Sequence, residues 1–164
     1  MSLLSPPEAI YPDPATAFTA IQAHARQHGY TVFQRDKRSF KVVYTCDRAG
    51  QYNPKGKGSQ VDPSKQCKNT GSKKCGCLMK VVLRLDKVSE MWKLEVLYAV
   101  HNHSPSTAIA AHPAHRLAAL SEDTRALISN LSSSGLPPAQ ILTILRKADP
   151  NIALILKDIA NLTY

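Results

Sequence analysis

From Asp13 to Gly29 the apolar positions recur at helical spacing. Phe18, Ile21, Ala25 and His28 fall three or four residues apart and make one stripe over about four turns. Asp13 can cap this helix, Pro14 suits its first position and Gly29 suits a left-handed stop. His24 and His28 lie on or beside the stripe with no partner histidine or cysteine nearby, and read as edge-of-core residues. After Gly29 the period becomes strand-like. Tyr30–Arg38 starts with Tyr30, Val32 and Phe33 and ends with Arg35, Lys37 and Arg38. Phe40, Val42, Tyr44 and Cys46 then alternate with Lys41, Val43 and Thr45, a strand with one packed face. From Cys77, the residues Met79, Val81, Leu83 and Leu85 alternate with Lys80, Val82 and Arg84. Asp86–Met91 reads as a turn, and Trp92, Leu94, Val96, Tyr98 and Val100 form one side of a third strand. Strands in direct succession without crossover helices imply an antiparallel sheet.

The rest of the chain divides around this block. Residues 1–12 read as a disordered N-terminus. Within the block, residues 49–74 carry six lysines, one acid and Val61 as the sole aliphatic, which is too little to bury, so a mobile basic loop is expected in the hairpin. Residues 105–120 read as a linker rich in Ala, Ser and Pro, with His112 and His115 expected in solvent. Residues 121–164 predict three short helices. Ser121 caps the first, whose stripe is Leu120, Leu127, Ile128 and Leu131 and which stops at Gly135. Pro137-Pro138 opens the second, with Ile141, Leu142 and Leu145, and the third covers about Leu154–Leu162. Such a tail suits a helix-turn-helix or a small bundle that pairs with a second copy or a partner protein.

Charge changes the picture more than composition does. In 164 residues, 43% are apolar and 20% charged, ordinary for a globular chain. Lys and Arg outnumber acids 21 to 12, giving +9. Residues 26–103 hold sixteen Lys or Arg against six acids, whereas residues 1–25 carry −2 and residues 104–164 carry +1. A single-sign excess confined to one block points to a polyanionic partner. Residues 1–12 lack a basic n-region and an apolar h-region, and no apolar run is long enough to span a bilayer. The reading is a soluble intracellular chain, whose four cysteines are then more apt to bind metal than to pair.

The cysteines and histidines form a constellation. Cys46 ends one strand and Cys77 begins the next, so the hairpin brings them together across the inserted loop. The third strand runs into His101-Asn102-His103, whose one-residue spacing points both imidazoles the same way and turns Asn102 aside. Cys46, Cys77, His101 and His103 thus make a Cys2His2 set for one structural zinc ion, with no position left open for catalysis. Cys75, two residues before Cys77, and Cys67, inside the loop, are alternatives to Cys77.

These residues carry a family resemblance. The helix over Ala17–Gly29, Gly29-Tyr30-Thr31-Val32, Arg38-Ser39, Tyr44-Thr45-Cys46-Asp47-Arg48-Ala49-Gly50, Gly76-Cys77, Trp92-Lys93-Leu94 and His101-Asn102-His103-Ser104 are similar to the far-red-impaired-response type zinc DNA-binding domain. That domain belongs to the WRKY/glial-cells-missing superfamily and occurs at the N-terminus of Mutator-like transposases and derived transcription factors. The likeness covers about residues 14–105. The WRKY heptad is absent, Leu78 stands where the family commonly has Pro, and Cys75 is an extra thiol. The resemblance implies a four- to five-stranded antiparallel sheet with zinc at one end; with the N-terminal helix on that sheet and the small helical tail, the chain reads as α+β. The resemblance places this WRKY-like domain at 13–104. It also implies an edge strand that enters the DNA major groove. Here that strand is Tyr30–Arg38, with Gln34, Arg35, Lys37 and Arg38, joined by Lys41, as the DNA-contacting residues.

No nucleophile–base set, phosphate loop or paired-carboxylate pattern stands out, and the residues after His103 are too few for a transposase catalytic domain. The expectation is therefore a non-enzymatic, zinc-dependent, sequence-specific double-stranded DNA-binding protein of the nucleus. It would act as a transcription regulator or as a truncated or domesticated transposase product. The competing reading is a zinc-stabilised protein-interaction module with a helical dimerisation tail. Single-stranded RNA is disfavoured because few aromatics are free for base stacking.

Overall fold

The computed structural model describes residues 3–53, 72–106, 108 and 112–163. The chain forms two compact units, Met1–Ser106 and Thr107–Tyr164. In the first, strand β1 (Ile10–Tyr11) precedes helix α1 (Pro14–Gln27), and β2 (Val32–Arg38), β3 (Lys41–Cys46), β4 (Lys80–Leu85) and β5 (Trp92–Tyr98) follow. The strands form one antiparallel sheet in the order β1-β5-β4-β3-β2. The expected α+β class and sheet are what the chain adopts, with five strands.

Helix α1 forms where its sequence signals coincide. The Asp13 carboxylate accepts hydrogen bonds from Ala15 N at 2.8 Å and Thr16 N at 2.9 Å, and Pro14 follows it in the first turn. Gly29, at φ +75°, ends the helix, and a Cβ there would lie 2.8 Å from Pro105 Cβ, so only glycine fits. Ala17, Ile21 and Ala25 are buried against Val42, Tyr44, Met79, Val81, Leu83 and Leu94 of the sheet. The Phe18 ring stacks on Tyr44 at 5.4 Å. Pairing of Val42 with Leu83 and of Tyr44 with Val81 puts these residues on one face. The intervening residues therefore face away from α1.

Three expectations need correction here. Residues 3–12 are not a free terminus: Ile10 and Tyr11 pair with Lys93 and Trp92, Leu94 N donates to Ala9 O, and Tyr30 Oη donates to Leu4 O. Two residues carry too little pattern to announce a strand. Phe40 does not extend β3: it is half exposed in the turn between β2 and β3. Tyr98 and Val100 leave the packed side of β5. Tyr98 pairs with Lys80 while Val96 pairs with Val81, so Leu97 is an extra residue that reverses the alternation, and Val100 lies beyond the strand in solvent. Most of the expected basic loop, at 54–71, lies outside the described residues, as does Cys67.

The second unit holds α2 (Pro113–Ala118), α3 (Glu122–Ser133), α4 (Pro138–Ala148) and α5 (Leu156–Thr163). Ile128, Ile141, Leu142, Leu145, Leu154 and Ile159 form its core. The expected linker contributes α2 to this unit. His112 and His115, expected in solvent, are 2% and 4% exposed, with rings 4.8 Å apart. Arg116 on α2 makes a bidentate pair with Asp158 on α5, at 2.7 and 2.9 Å, and both are buried. Burial alone would raise the Asp158 pKa. The Arg116 guanidinium and the Ile155 N–H outweigh it and hold the carboxyl below its ordinary value.

Candidate metal centre and nucleic-acid interface

Cys46 is the last residue of β3, and the chain turns immediately after it. Asp47 N donates to Thr31 O, and Ala49 N donates back to Cys46 O. The far end of the insertion returns onto this turn: Cys75 N and Cys77 N both donate to Arg48 O, and Gly76 N donates to Gly50 O. Gly50 and Gly76 sit at φ +78° and +71°, where a side chain is strained. Backbone hydrogen bonds therefore pin the two ends of the insertion and set Cys77 beside Cys46.

The segment after β5 delivers His101 and His103 to the same point. One ligand atom from each of Cys46, Cys77, His101 and His103 lies within 4.8 Å of the others. Cys46 Sγ is 3.2 Å from His103 Nε2, His101 Nδ1 is 3.2 Å from His103 Nε2, and Cys77 Sγ is 3.5 Å from His101 Nδ1. A tetrahedron with metal–sulfur bonds of about 2.3 Å and metal–nitrogen bonds of about 2.0 Å has N–N and N–S edges of roughly 3.3–3.6 Å. The four residues fit a metal ion of that geometry.

The surroundings also suit ligation. His103 Nδ1 donates to Ser104 O at 3.1 Å, which leaves Nε2 with its lone pair facing the cluster. His101 packs on the Tyr30 ring at 4.4 Å. In the metal-free state burial, together with the neighbouring His103, holds the His101 pKa down to about 4, so the ring is neutral and able to ligate. Burial pushes the Cys46 thiol up, and Cys77 and Asp47 push it further. A cation that displaces this proton would remove the cost of a buried thiolate. Asn102 turns away from the cluster. Its Nδ2 donates to Cys75 O at 2.9 Å, and the exposed Cys75 thiol donates to Asn102 Oδ1 at 3.2 Å. Among the described cysteines, Cys46 and Cys77 are the two the fold gathers with the histidines.

The five residues expected to contact DNA lie on or beside the edge strand β2 and divide between two faces. Gln34 pairs with Tyr44 and Lys37 with Val42, and both line a hollow beside Phe18 of α1. Arg35 sits at an irregularity between Gln34 and Asp36 and lines a hollow with Thr45, Lys80 and Tyr98 on the opposite face. Arg38 pairs with Lys41, also facing away from α1. The extra residue at Arg35 reverses the alternation, and sequence alone gave no sign of it. Sequence reasoning missed Lys80, Arg84 and Lys93, which join this second face. Their basic character was visible, but their alignment depends on register.

The class of molecule defined here is an antiparallel sheet with four Cys and His side chains that could hold one metal ion at one end, and a basic edge strand. No protein-family model matches the chain. A curated PKS-NRPS hybrid synthetase, cheA of Chaetomium globosum, is 32% identical over 126 residues, covering 70% of this chain. The chain spans about 2% of that synthetase's length, so the match assigns none of the synthetase's activity to it. The crystal structure of AFT2 in complex with DNA aligns over 99% of this chain and 93% of its own, at TM-score 0.40 and 14% identity. A likeness of that size carries no argument. Among the described residues, no helix is long and apolar enough to cross a membrane.

Proposed function

We propose that this chain is a zinc-dependent, sequence-specific double-stranded DNA-binding protein. On this reading it works in the nucleus as a transcription regulator or transposase-derived factor of the far-red-impaired-response type. The observation that carries the proposal is the convergence of Cys46, Cys77, His101 and His103 at one end of a sheet whose edge strand bears Arg35, Lys37 and Arg38. Thiolate and imidazole donors at tetrahedral separations suit zinc over harder cations. Four protein ligands leave no coordination position for substrate, so the ion would be structural. Zinc would fix the strand ends, and the rigid edge would present cations and Gln34 to phosphates and base edges.

The test is selection from a random duplex library across a salt series. The proposal expects an enriched sequence and an affinity that falls steeply with salt. Recovery of no sequence, together with a flat salt response, favours a zinc-stabilised protein-interaction module instead.

A further inference from the structure

The face of the sheet turned away from α1 carries a row of cations that no single strand reveals. Arg38 on β2 pairs with Lys41 on β3, Lys41 pairs with Arg84 on β4, and Arg84 pairs with Lys93 on β5. Four positive side chains thus stand directly opposite one another across four strands. Three inter-strand steps of about 4.8 Å give the row a length of about 14 Å. Arg38, Arg84 and Lys93 are exposed, and Lys41 is half-buried.

Such a row is unfavourable for folding, because like charges on directly opposed residues repel. The next row shows how the arrangement is held. Asp36 pairs with Val43, Val43 with Val82, and Val82 with Glu95. Asp36 reaches Arg38 at 3.4 Å, and Glu95 reaches Arg84 at 3.1 Å and Lys93 at 4.0 Å. These acids contact three of the four cations, and the two rows together keep an excess of two positive charges.

We infer that Arg38, Lys41, Arg84 and Lys93 form a track for the sugar–phosphate backbone of duplex DNA. The inference rests on the DNA-binding reading and extends it from the edge strand to the sheet face. A duplex strand offers a linear series of anions, and a row of cations aligned across a four-strand platform matches it. Arg84 and Lys93 lie on β4 and β5, away from the edge strand. Lys41 and Cys46 bound β3, which puts the row about 17 Å from the metal cluster by strand rise. Its contribution should therefore be independent of sequence and separable from zinc binding.

The experiment measures duplex affinity against salt for the full chain and for Arg84→Gln, Lys93→Gln and the charge-matched control Lys157→Gln. Each row variant is expected to lower the magnitude of the log–log salt slope by about 0.9, the value for one lost phosphate contact. Sequence preference and zinc content should stay unchanged, and the control should keep the parent slope. If the parent chain binds duplex with a steep slope and both row variants retain it, the track is wrong while the DNA reading stands. An equal drop in the control makes the effect one of net charge and also overturns the track. A parent chain that does not bind duplex at all overturns both readings.

Discussion

The two units meet the problem of small size with different chemistry. The second unit buries aliphatic side chains from α3, α4, α5 and the preceding loop, and ties α2 to α5 through the Arg116–Asp158 pair. Its sequence charge is close to balanced. The first unit has a larger core between α1 and one sheet face, yet it carries the basic excess and gathers four metal-ligating side chains at one end. The aligned like charges work against this sheet, and a metal ion held by the four clustered side chains would offset that cost. The difference separates a unit arranged for internal stability from one arranged to hold a charged surface.

Loss of the metal site should separate the two units most strongly. Structural zinc of this type contributes about 10–16 kcal/mol. Cys77→Ser should therefore abolish stoichiometric zinc and melt the sheet unit, while helical circular dichroism from the second unit persists. Cys75→Ser, whose thiol faces Asn102, should retain one zinc per chain by elemental analysis.

The converse perturbation acts on the second unit. Asp158→Ala leaves the Arg116 guanidinium buried without its carboxylate, at a cost of about 3–5 kcal/mol. Amide exchange should accelerate across α2–α5, with zinc content unchanged. Acid gives the same pair a pH signature. Asp158 is held below its ordinary 3.8, so its contribution is complete above that value and is lost as the pH falls further. Helical signal followed through an acid titration should show Asp158→Asn lacking this low-pH loss. The smallest effect is at the cap: Asp13→Ala should destabilise the sheet unit slightly, read as a lower urea midpoint.

Features fixed by rare residues at set spacing were legible in the sequence. Asp13, Pro14 and Gly29 bracket α1, and each acts locally, so no tertiary knowledge was needed. The meeting of Cys46 and Cys77 with His101 and His103 followed from strand ends and a His-x-His spacing. Features set by pairing were not legible. The extra residues at Arg35 and Leu97 reverse the alternation in β2 and β5, and a one-residue slip moves every later side chain to the other face. Hence Tyr98 leaves the packed face, whereas the alignment of Arg84 with Lys93 depends on inter-strand register, which no single strand carries. Likewise β1 is only a pair of residues matched to Lys93 and Trp92, and the burial of His112 and His115 has no mark in the local pattern.

The central claim joins metal to DNA, and one measurement tests the join. Zinc content and duplex affinity are determined on the same sample before chelation, after chelation and after zinc is restored. The account predicts one zinc per chain, loss of sequence-preferring binding when it is removed, and recovery when it returns. Full duplex affinity in chelated, zinc-free protein would contradict it.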